Sequence, residues 1–379
     1  MDALINEHRV LVCVGSGGVG KTTMAAALAL RGRQLGRRVL VVTVDPAKRL
    51  ASALGLDLTG VEERLVPLHD RTVPEGAELH AAVIDSKKIF DGFIQEHSTD
   101  PELMKRLSKN RLYEQLSTTL SGSQEFTALE RLLQAHEAVE MKAGQQSARY
   151  DLIILDTPPT QHAIDFLSAP DRIRGLFQDN ITKWFMNPAA NSGFLGQGIV
   201  SSLIGRGTRA ALKSLEVLTG ARFIEELIDF FYSMQSIQKK LRDRSEAVNT
   251  ILKSRSSAFV LVTSFDVAKL KEAQHLNGHL KKFGYRLGAC ILNRAFPEHL
   301  PTDSEMEQVT TEPLRDSVSR LREFYKKVRA DHTVRFHQFE EFEKQVDRDV
   351  RVVRVPEYRQ DIFGLDDLES LASFLGEAE

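Results

Sequence analysis

One stretch near the start of the chain limits which folds the rest can adopt. Residues 9–23 read RVLVCVGSGGVGKTT, and the apolar, β-branched run Val10–Val14 within it has the length and composition of a buried strand. Residues 15–22 fit the phosphate-loop pattern G-x-x-x-x-G-K-[ST]. The alanine-rich stretch 23–36 is typical of a helix that ends at a glycine. The sequence therefore predicts a strand, a loop and a helix, which is the structural setting that this motif requires.

The residue types of this loop suit a nucleoside triphosphate. Glycines let successive backbone N–H groups converge on phosphate oxygens, and the helix N-terminus adds partial positive charge. Lys21 is predicted to reach the β- and γ-phosphates, and the Thr22 hydroxyl is predicted to ligate Mg²⁺. A glycine-rich turn that precedes a helix by chance is the alternative, and the complete motif argues against it. The predicted ligands are ATP and Mg²⁺, and the predicted loop contacts are Gly15, Ser16, Gly17, Gly18, Val19, Gly20, Lys21, Thr22 and Thr23.

Composition excludes several classes of protein. The 379 residues are 42% hydrophobic and 27% charged, which is enough for a sizeable core. The formal net charge of -2 lacks the basic excess of a nucleic-acid-binding surface, so no nucleic-acid partner is expected. The first ten residues, MDALINEHRV, do not resemble a signal peptide, and no apolar run is long enough to span a bilayer. The expectation is a cytoplasmic protein without an integral membrane segment.

The two cysteines, Cys13 and Cys290, each lie in an apolar, strand-like run without a CxxC partner. A zinc or redox motif is therefore not supported, and buried thiols in a reducing compartment are the simpler interpretation.

Strand-like runs alternate with helical patterns along the rest of the chain. The later runs are 38–44, 79–84, 150–156, 258–265, 287–293 and 350–355. This alternation predicts an α/β fold, a mostly parallel, doubly wound sheet covered on both faces. Because the helical stretches, including a predicted helix over 125–141, exceed what crossovers need, they are interpreted as an inserted α-helical subdomain. The prediction is a single P-loop ATPase domain over 1–379, with a core of 1–90, 148–165 and 256–379 and a helical subdomain of 91–147 and 166–255.

Two carboxylates follow predicted strands. Asp156 ends the run YDLIILD, the usual form of a Walker B segment whose carboxylate holds the Mg²⁺ shell. Asp45 follows another strand and precedes Pro46, which is also a common helix N-cap pairing. Both lie at the carboxyl ends of strands, where open α/β sheets bind their ligands.

Three stretches together resemble the ArsA/Get family of P-loop ATPases, in the deviant Walker A class with MinD, ParA and the nitrogenase iron protein. They are GSGGVGKTT at 15–23, TVDPAKRLASALG at 43–55 and DTPPTQHAIDFL at 156–167. The last two are similar to the family's switch I and switch II. The resemblance covers most of the chain, is sharp only at these motifs, and is best to bacterial single-domain members labelled anion-transporting ATPases.

The resemblance implies roles for individual residues. Asp45 would orient or activate the attacking water, with Lys21 as the second catalytic residue, and Asp156 would serve Mg²⁺. Thr160 and His162 would belong to the mobile switch II. The adenine pocket would include Asn293 and Arg294, with Pro356 closing it. The resemblance also implies a dimer whose halves move with the nucleotide state.

The chain departs from the family pattern in two places. The family's signature lysine, which reaches the partner's phosphates, is Ser16 here, so weak hydrolysis is the expectation unless Lys48 or Arg49 substitutes for it. Arsenite-binding members use clustered cysteines in the helical region, and this chain has none there, which disfavours arsenite transport.

Two functional hypotheses follow. The first is a dimeric, ATP-hydrolysing switch that couples nucleotide state to a protein client at the helical subdomain. The second is a nucleotide-binding regulatory subunit with little hydrolysis that pairs with a lysine-bearing paralogue, so a homodimer and a heterodimer both stay open. Partition ATPases, MinD-like proteins and iron–sulfur electron donors fit less well, and a small-molecule kinase has no acceptor that the sequence names.

Overall fold

A computed structural model describes most of the chain. The described residues are 1–44, 49–56, 63–68, 73–98, 102–111, 113–114, 123–142, 145–157, 165–166, 168–169, 221–295, 315–358, 362 and 364–377. They fall into two compact units, the first of Met1–Val83, Ala138–Ile164 and Leu252–Glu379 and the second of Ile84–Glu137 and Asp165–Ile251. That the helical stretches form a subdomain within a single ATPase domain stays a prediction.

Strands and helices alternate through most of the described chain. The strands are β1 Val10–Gly15, β2 Val39–Thr43, β3 Arg64–Leu65, β4 Leu79–Val83, β5 Val139–Lys142, β6 Gln145–Ala148, β7 Leu152–Asp156, β8 Ser257–Ser264, β9 Leu287–Ala295 and β10 Arg351–Pro356. The helices are α1 Asp2–Glu7, α2 Lys21–Gln34, α3 Arg49–Ala53, α4 Ser86–His97, α5 Leu103–Leu107, α6 Ser123–Glu137, α7 Ala221–Lys253, α8 Val267–Phe283, α9 Arg315–Gln345 and α10 Gly364–Glu377.

The first unit contains an eight-stranded sheet in the order β10-β9-β8-β1-β7-β2-β4-β3. Neighbouring strands are parallel except for the short β3, which runs antiparallel to β4. The central strands β1, β2 and β7 are buried along their whole length, because helices cover both faces of a parallel sheet. The predicted α/β fold with a mostly parallel sheet is confirmed.

Helix α2 lies in the middle of the main core and is buried on nearly every side. Its small residues allow this close packing, since a Cβ at Gly32 would lie 2.7 Å from Leu152 Cδ2 of β7. Helix α10 packs against α2, and its side chains Leu368, Leu371 and Leu375 belong to the same buried cluster. At the far end of α2, Arg31 donates to Asp2 of α1, with 2.8 Å between Nε and Oδ1. The helix that follows the phosphate loop is therefore held along its length and at its C-terminal end.

The second unit has a core of its own that is rich in aromatic side chains. Phe90, Phe93 and Phe126 meet edge to face, with ring centroids 5.3 to 5.6 Å apart. The buried Glu130 of α6 pairs with Arg244 of α7, with 2.7 Å between Oε1 and Nη2. The described helices of this unit are therefore joined by apolar packing and by a largely buried ion pair.

The predicted helix over 125–141 is wrong at its C-terminal end. Helix α6 ends at Glu137, and residues 139–148 instead form the antiparallel hairpin of β5 and β6, which belongs to the first unit. The hairpin is held by a long-range contact, because Glu140 pairs with Arg38.

No helix in the described part of the chain is both long enough and apolar enough to cross a membrane.

Candidate nucleotide site

The sheet order brings several strand ends together around β1. Strands β7 and β2 lie on one side of β1, and strands β8 and β9 lie on the other. The chain therefore changes direction across the sheet at β1, and open α/β sheets bind ligands in the crevice at such a point. The loop that leaves the carboxyl end of β1 is the predicted phosphate loop.

Two glycines of this loop have structural reasons to be glycine. Gly20 is the N-cap of α2 with a φ of 89°, and a side chain there would overlap the Asn293 amide. Gly15 approaches β8 so closely that a Cβ would clash with the Val262 carbonyl oxygen. The backbone can therefore turn tightly into α2, which leaves the first N–H groups of the helix available to an anion.

Lys21 lies back over the loop from which it emerges. Its side chain is buried, and Nζ donates to the Ser16 carbonyl oxygen at 2.8 Å. Because this acceptor is a neutral backbone group, a phosphate oxygen can replace it at little electrostatic cost. The Ser16 residue is itself buried within the loop.

Asp156 lies at the carboxyl end of β7 and is 1% exposed. Its Oδ2 accepts a hydrogen bond from Thr22 Oγ1 at 2.7 Å and another from Thr43 Oγ1 at 2.9 Å. One carboxylate and two hydroxyls are hard oxygen donors, the type that Mg²⁺ prefers. In the described residues, no group of three or more His, Cys, Asp or Glu could hold a metal. Mg²⁺ usually takes one or two protein ligands and completes its shell with phosphate and water.

The neighbouring Cys13 is a structural thiol. Burial raises the pKa of the Cys13 thiol strongly, the charge of Asp156 acts in the same direction, and Lys21 opposes both. Burial also raises the pKa of Cys290, to about 12, with a smaller effect of Glu343. Both cysteines are free and buried, as predicted, and both stay protonated at neutral pH.

The ends of β9 and β10 bring the predicted adenine segment to the loop. Asn293 Nδ2 donates to the Val19 carbonyl oxygen at 2.9 Å, and Asn293 Oδ1 accepts from the Arg294 backbone N–H at 2.9 Å. Arg294 is exposed and has a φ of 54°, which is uncommon for a residue with a side chain. Pro356, at the end of β10, is exposed and pairs with Ala295. Asn293 therefore contacts the phosphate loop, while adenine contacts for Asn293, Arg294 and Pro356 stay predictions.

Several predicted residues lie outside the described part of the chain, namely Asp45, Lys48, Thr160 and His162. Arg49 is the exposed first residue of α3, and its compensation for Ser16 stays a prediction. Within the loop, Gly17 and Gly18 are exposed, while Val19 is buried.

The sequence reasoning missed Thr43 and Thr157. Thr157 Oγ1 donates to the Cys13 carbonyl oxygen at 2.7 Å, which ties the end of β7 to β1. The signal for Thr43 is a hydroxyl residue at the carboxyl end of a predicted strand. Its use depends on β2 lying directly beside β7, which the sequence does not reveal.

These features define the P-loop nucleoside triphosphatases. They are a phosphate loop at the reversal point of a parallel sheet, a lysine in that loop, and a threonine–aspartate pair beside it. The model of the family described as "Anion-transporting ATPase" matches residues 8–377. The chain belongs to this family of ATPases, and the resemblance to ArsA and Get proteins is confirmed.

Curated relatives agree with this assignment. The chain is 24% identical to "Putative arsenical pump-driving ATPase 1" of Aquifex aeolicus (strain VF5), over 97% of this chain and 78% of that protein. It is 24% identical to "ATPase GET3C" of Arabidopsis thaliana, over 78% of this chain and 68% of that protein. It is 28% identical to "ATPase GET3B" of the same plant, over 75% of this chain and 63% of that protein.

Proposed function

We propose that the protein binds Mg-ATP, hydrolyses it, and acts as a dimeric switch that couples its nucleotide state to a protein client. The observation that carries this proposal is the cluster of Thr22, Asp156 and Thr43 beside Lys21, at the reversal point of the sheet. The cluster combines a cation for phosphate with hard oxygen ligands for Mg²⁺.

Each residue of the cluster has a distinct task in this proposal. Lys21 exchanges the Ser16 carbonyl oxygen for phosphate oxygens and so moves its charge onto the triphosphate. Asp156 holds the hydroxyl of Thr22 in position, and Thr43 fixes the carboxylate from the adjacent strand. Bound Mg²⁺ would be held by Thr22 and Asp156 and would neutralise charge on the phosphates.

Further assignments rest on the resemblance to the family. Asp45 would orient the attacking water, and Thr160 and His162 would respond to the γ-phosphate as parts of a switch. Asn293, Arg294 and Pro356 would contact or enclose adenine. The contact of Asn293 with Val19 supports this, because it places the end of β9 against the phosphate loop.

The client is proposed to be a protein that binds the second unit, Ile84–Glu137 and Asp165–Ile251, which covers most of the predicted helical subdomain of 91–147 and 166–255. Arsenite is a less suitable cargo, although several relatives carry arsenical pump-driving names, because both cysteines of the chain are buried in strands of the sheet. The helical stretches therefore contain no cysteine that could supply a thiolate ligand to a soft ion.

A regulatory subunit with little hydrolysis is the second candidate, and the position of Ser16 favours it. Ser16 is buried inside its own loop, so its short, neutral side chain cannot reach a partner's phosphates as the family's signature lysine does. In this case the chain would pair with a related ATPase that carries the lysine. Lys48 or Arg49 would compensate for Ser16 if the first candidate holds.

ATP turnover measured over a range of protein concentrations separates the two candidates. A homodimeric ATPase gives turnover per chain that rises with concentration, disappears in Lys21→Ala and stops when Mg²⁺ is chelated. A regulatory subunit binds Mg-ATP without turnover and gains activity when the lysine-bearing partner is added.

Two further variants identify the source of the missing charge. Ser16→Lys is expected to raise turnover if charge at this position limits the rate. Replacing both Lys48 and Arg49 with alanine is expected to lower turnover only if they compensate for Ser16. An active double variant with unchanged turnover would contradict that compensation.

A further inference from the structure

Helix α8 carries two histidines one turn apart, away from the residues assigned to the nucleotide site. Residues 275–279 read His-Leu-Asn-Gly-His, so His275 and His279 lie on the same face of the helix. Their Nε2 atoms are 3.2 Å apart, and their ring centroids are 4.6 Å apart. The nitrogen atoms that imidazoles most readily offer to a metal therefore already converge.

The separation matches that of two ligands on one ion. Imidazole nitrogen binds Zn²⁺ at about 2.0–2.1 Å in tetrahedral geometry. Two such nitrogens on one tetrahedral ion are therefore about 3.3–3.4 Å apart, which follows from that bond length. The observed 3.2 Å is close to this value, so the distance between the two nitrogens need hardly change for them to share an ion.

The surroundings of His279 favour one orientation of its ring. Phe283, one turn further along α8, stacks on His279 with an interplanar angle of 27°. Nδ1 of His279 is buried and has no hydrogen-bond partner among the described residues, while Nε2 points at His275. Only Nε2 is therefore presented to an ion, and little ring freedom is lost when it binds.

A hydrogen bond between the two rings is the simpler use of this geometry. That bond requires one Nε2 to carry a proton and the other to be bare. A metal ion would replace this single shared proton and would use both lone pairs at once, provided that both rings are neutral. Burial lowers the pKa of His279, and the nearby His275 and Lys282 add to the effect.

We propose that His275 and His279 form a bidentate surface site for a borderline divalent cation of the Zn²⁺, Ni²⁺ or Cu²⁺ type. Imidazole nitrogens prefer these ions over Mg²⁺ and Ca²⁺, which take oxygen ligands. The spacing of two histidines at i and i+4 is that of metallopeptidase helices. However, Leu276 occupies the position of their catalytic glutamate, so the site binds without a hydrolytic base. The remaining coordination positions are open to water.

Titration of the nucleotide-free, full-length protein with Cu²⁺ tests the proposal. Cu²⁺ is the strongest binder in the divalent series and reports its ligands through electron paramagnetic resonance. The expected result is one tightly bound equivalent per chain with coupling to two imidazole nitrogens. His275→Asn and His279→Asn should each lower the affinity by at least about tenfold.

The matched control is His337→Asn on α9, which removes an exposed helical histidine that contacts glutamates instead of a second ring. It should bind Cu²⁺ as the wild type does. Because His279 is half-buried, its variant is checked by circular dichroism, and the exposed His275 supplies an independent test. Unchanged binding in His275→Asn, or an equivalent without the two-nitrogen signal, would overturn the proposal.

A second measurement uses Zn²⁺ and thermal unfolding. Chelation across one helical turn stabilises the folded state, so Zn²⁺ should raise the melting temperature of the wild type and of His337→Asn. His275→Asn should show no rise. Equal rises in all three proteins would place the ion elsewhere and contradict the proposal.

Discussion

The two edges of the main sheet both carry charged side chains, but the charges have different partners. At the carboxyl edge, Lys21 donates to a backbone carbonyl, and Asp156 accepts from two hydroxyl groups. At the amino edge, opposite charges meet directly. Arg38 pairs with Asp151 at 2.8 Å and also with Glu140.

A second group at the amino edge follows the same rule. Glu63 accepts hydrogen bonds from Arg149, at 2.7 Å, and from Tyr150. His80, at the start of β4, lies 3.4 Å from Glu63 and 3.1 Å from Glu78. The hydrogen bond with Glu63 raises the pKa of His80, burial opposes it, and Glu78 adds to the increase.

The difference indicates which edge is built for a ligand. When phosphate or Mg²⁺ replaces a neutral hydrogen-bond partner, the charged side chain gains attraction to an opposite charge. Breaking a direct ion pair instead leaves two charges without compensation. The carboxyl edge is therefore suited to bind and release charged ligands. The amino edge is suited to hold the strands and the β5–β6 hairpin together.

Asp156→Asn should have the largest effect and should separate activity from stability. The amide oxygen can still accept from Thr22 and Thr43, so the free energy of unfolding should change little. The negative charge for Mg²⁺ is lost, so turnover should fall on the order of 100-fold or more. Steady-state ATP hydrolysis and urea unfolding measure the two effects, and equal turnover in both proteins would contradict the Mg²⁺ assignment.

Gly20→Ala should weaken nucleotide binding by the next largest amount. An alanine at a φ of 89° is strained by about 1–3 kcal/mol, and its methyl group displaces the Asn293 amide from Val19. Adding Asn293→Ala removes the overlap but leaves the strain, so Gly20→Ala should cost less affinity in the Asn293→Ala background than in the wild type. Calorimetric titration with Mg-ATP measures this, and a strictly additive loss would argue against the Asn293 contact.

Asp151→Asn should have the opposite profile at the amino edge. Burial alone would raise the pKa of Asp151, but the hydrogen bonds and charge of Arg38 lower it overall. Because the carboxylate is 36% exposed, losing its charge should cost only about 1 kcal/mol of stability, without changing ATP turnover. Urea unfolding beside a turnover assay checks both, and a large loss of turnover would remove the distinction between the edges.

His80→Gln should have the smallest effect, which appears as a pH dependence of the free energy of unfolding. The folded-state pKa of His80 lies above its ordinary value of 6.5, so the contribution of His80 to the free energy of unfolding is complete below that pH. The contribution is lost as pH rises through the folded pKa. The free energy of unfolding of the wild type should therefore exceed that of the variant by less than about 1 kcal/mol, and this difference should shrink as pH rises above 6.5. An advantage that grows over this range would contradict the ion-pair assignment.

Local patterns identified most of the strands and much of the phosphate-binding apparatus. Gly20, Lys21 and Thr22 were predictable because phosphate binding requires a continuous loop with fixed spacing. Asp156 was predictable because it ends a buried apolar run. The end of α6 was not predictable, since residues 138–141 contain no local helix breaker. Their hairpin is held by the ion pair of Glu140 with Arg38, which is distant in sequence.

Local sequence patterns are enough to predict the separate parts of the site, namely the loop, the parallel strands and the acidic residue at a strand end. Which strand ends meet depends on the order of the strands in the folded sheet. β7 lies between β1 and β2, so Thr43 bonds to Asp156 across 113 residues, and Asn293 reaches Val19 across 274. Strand order depends on how the helices pack over the whole sheet, and no local pattern contains that information.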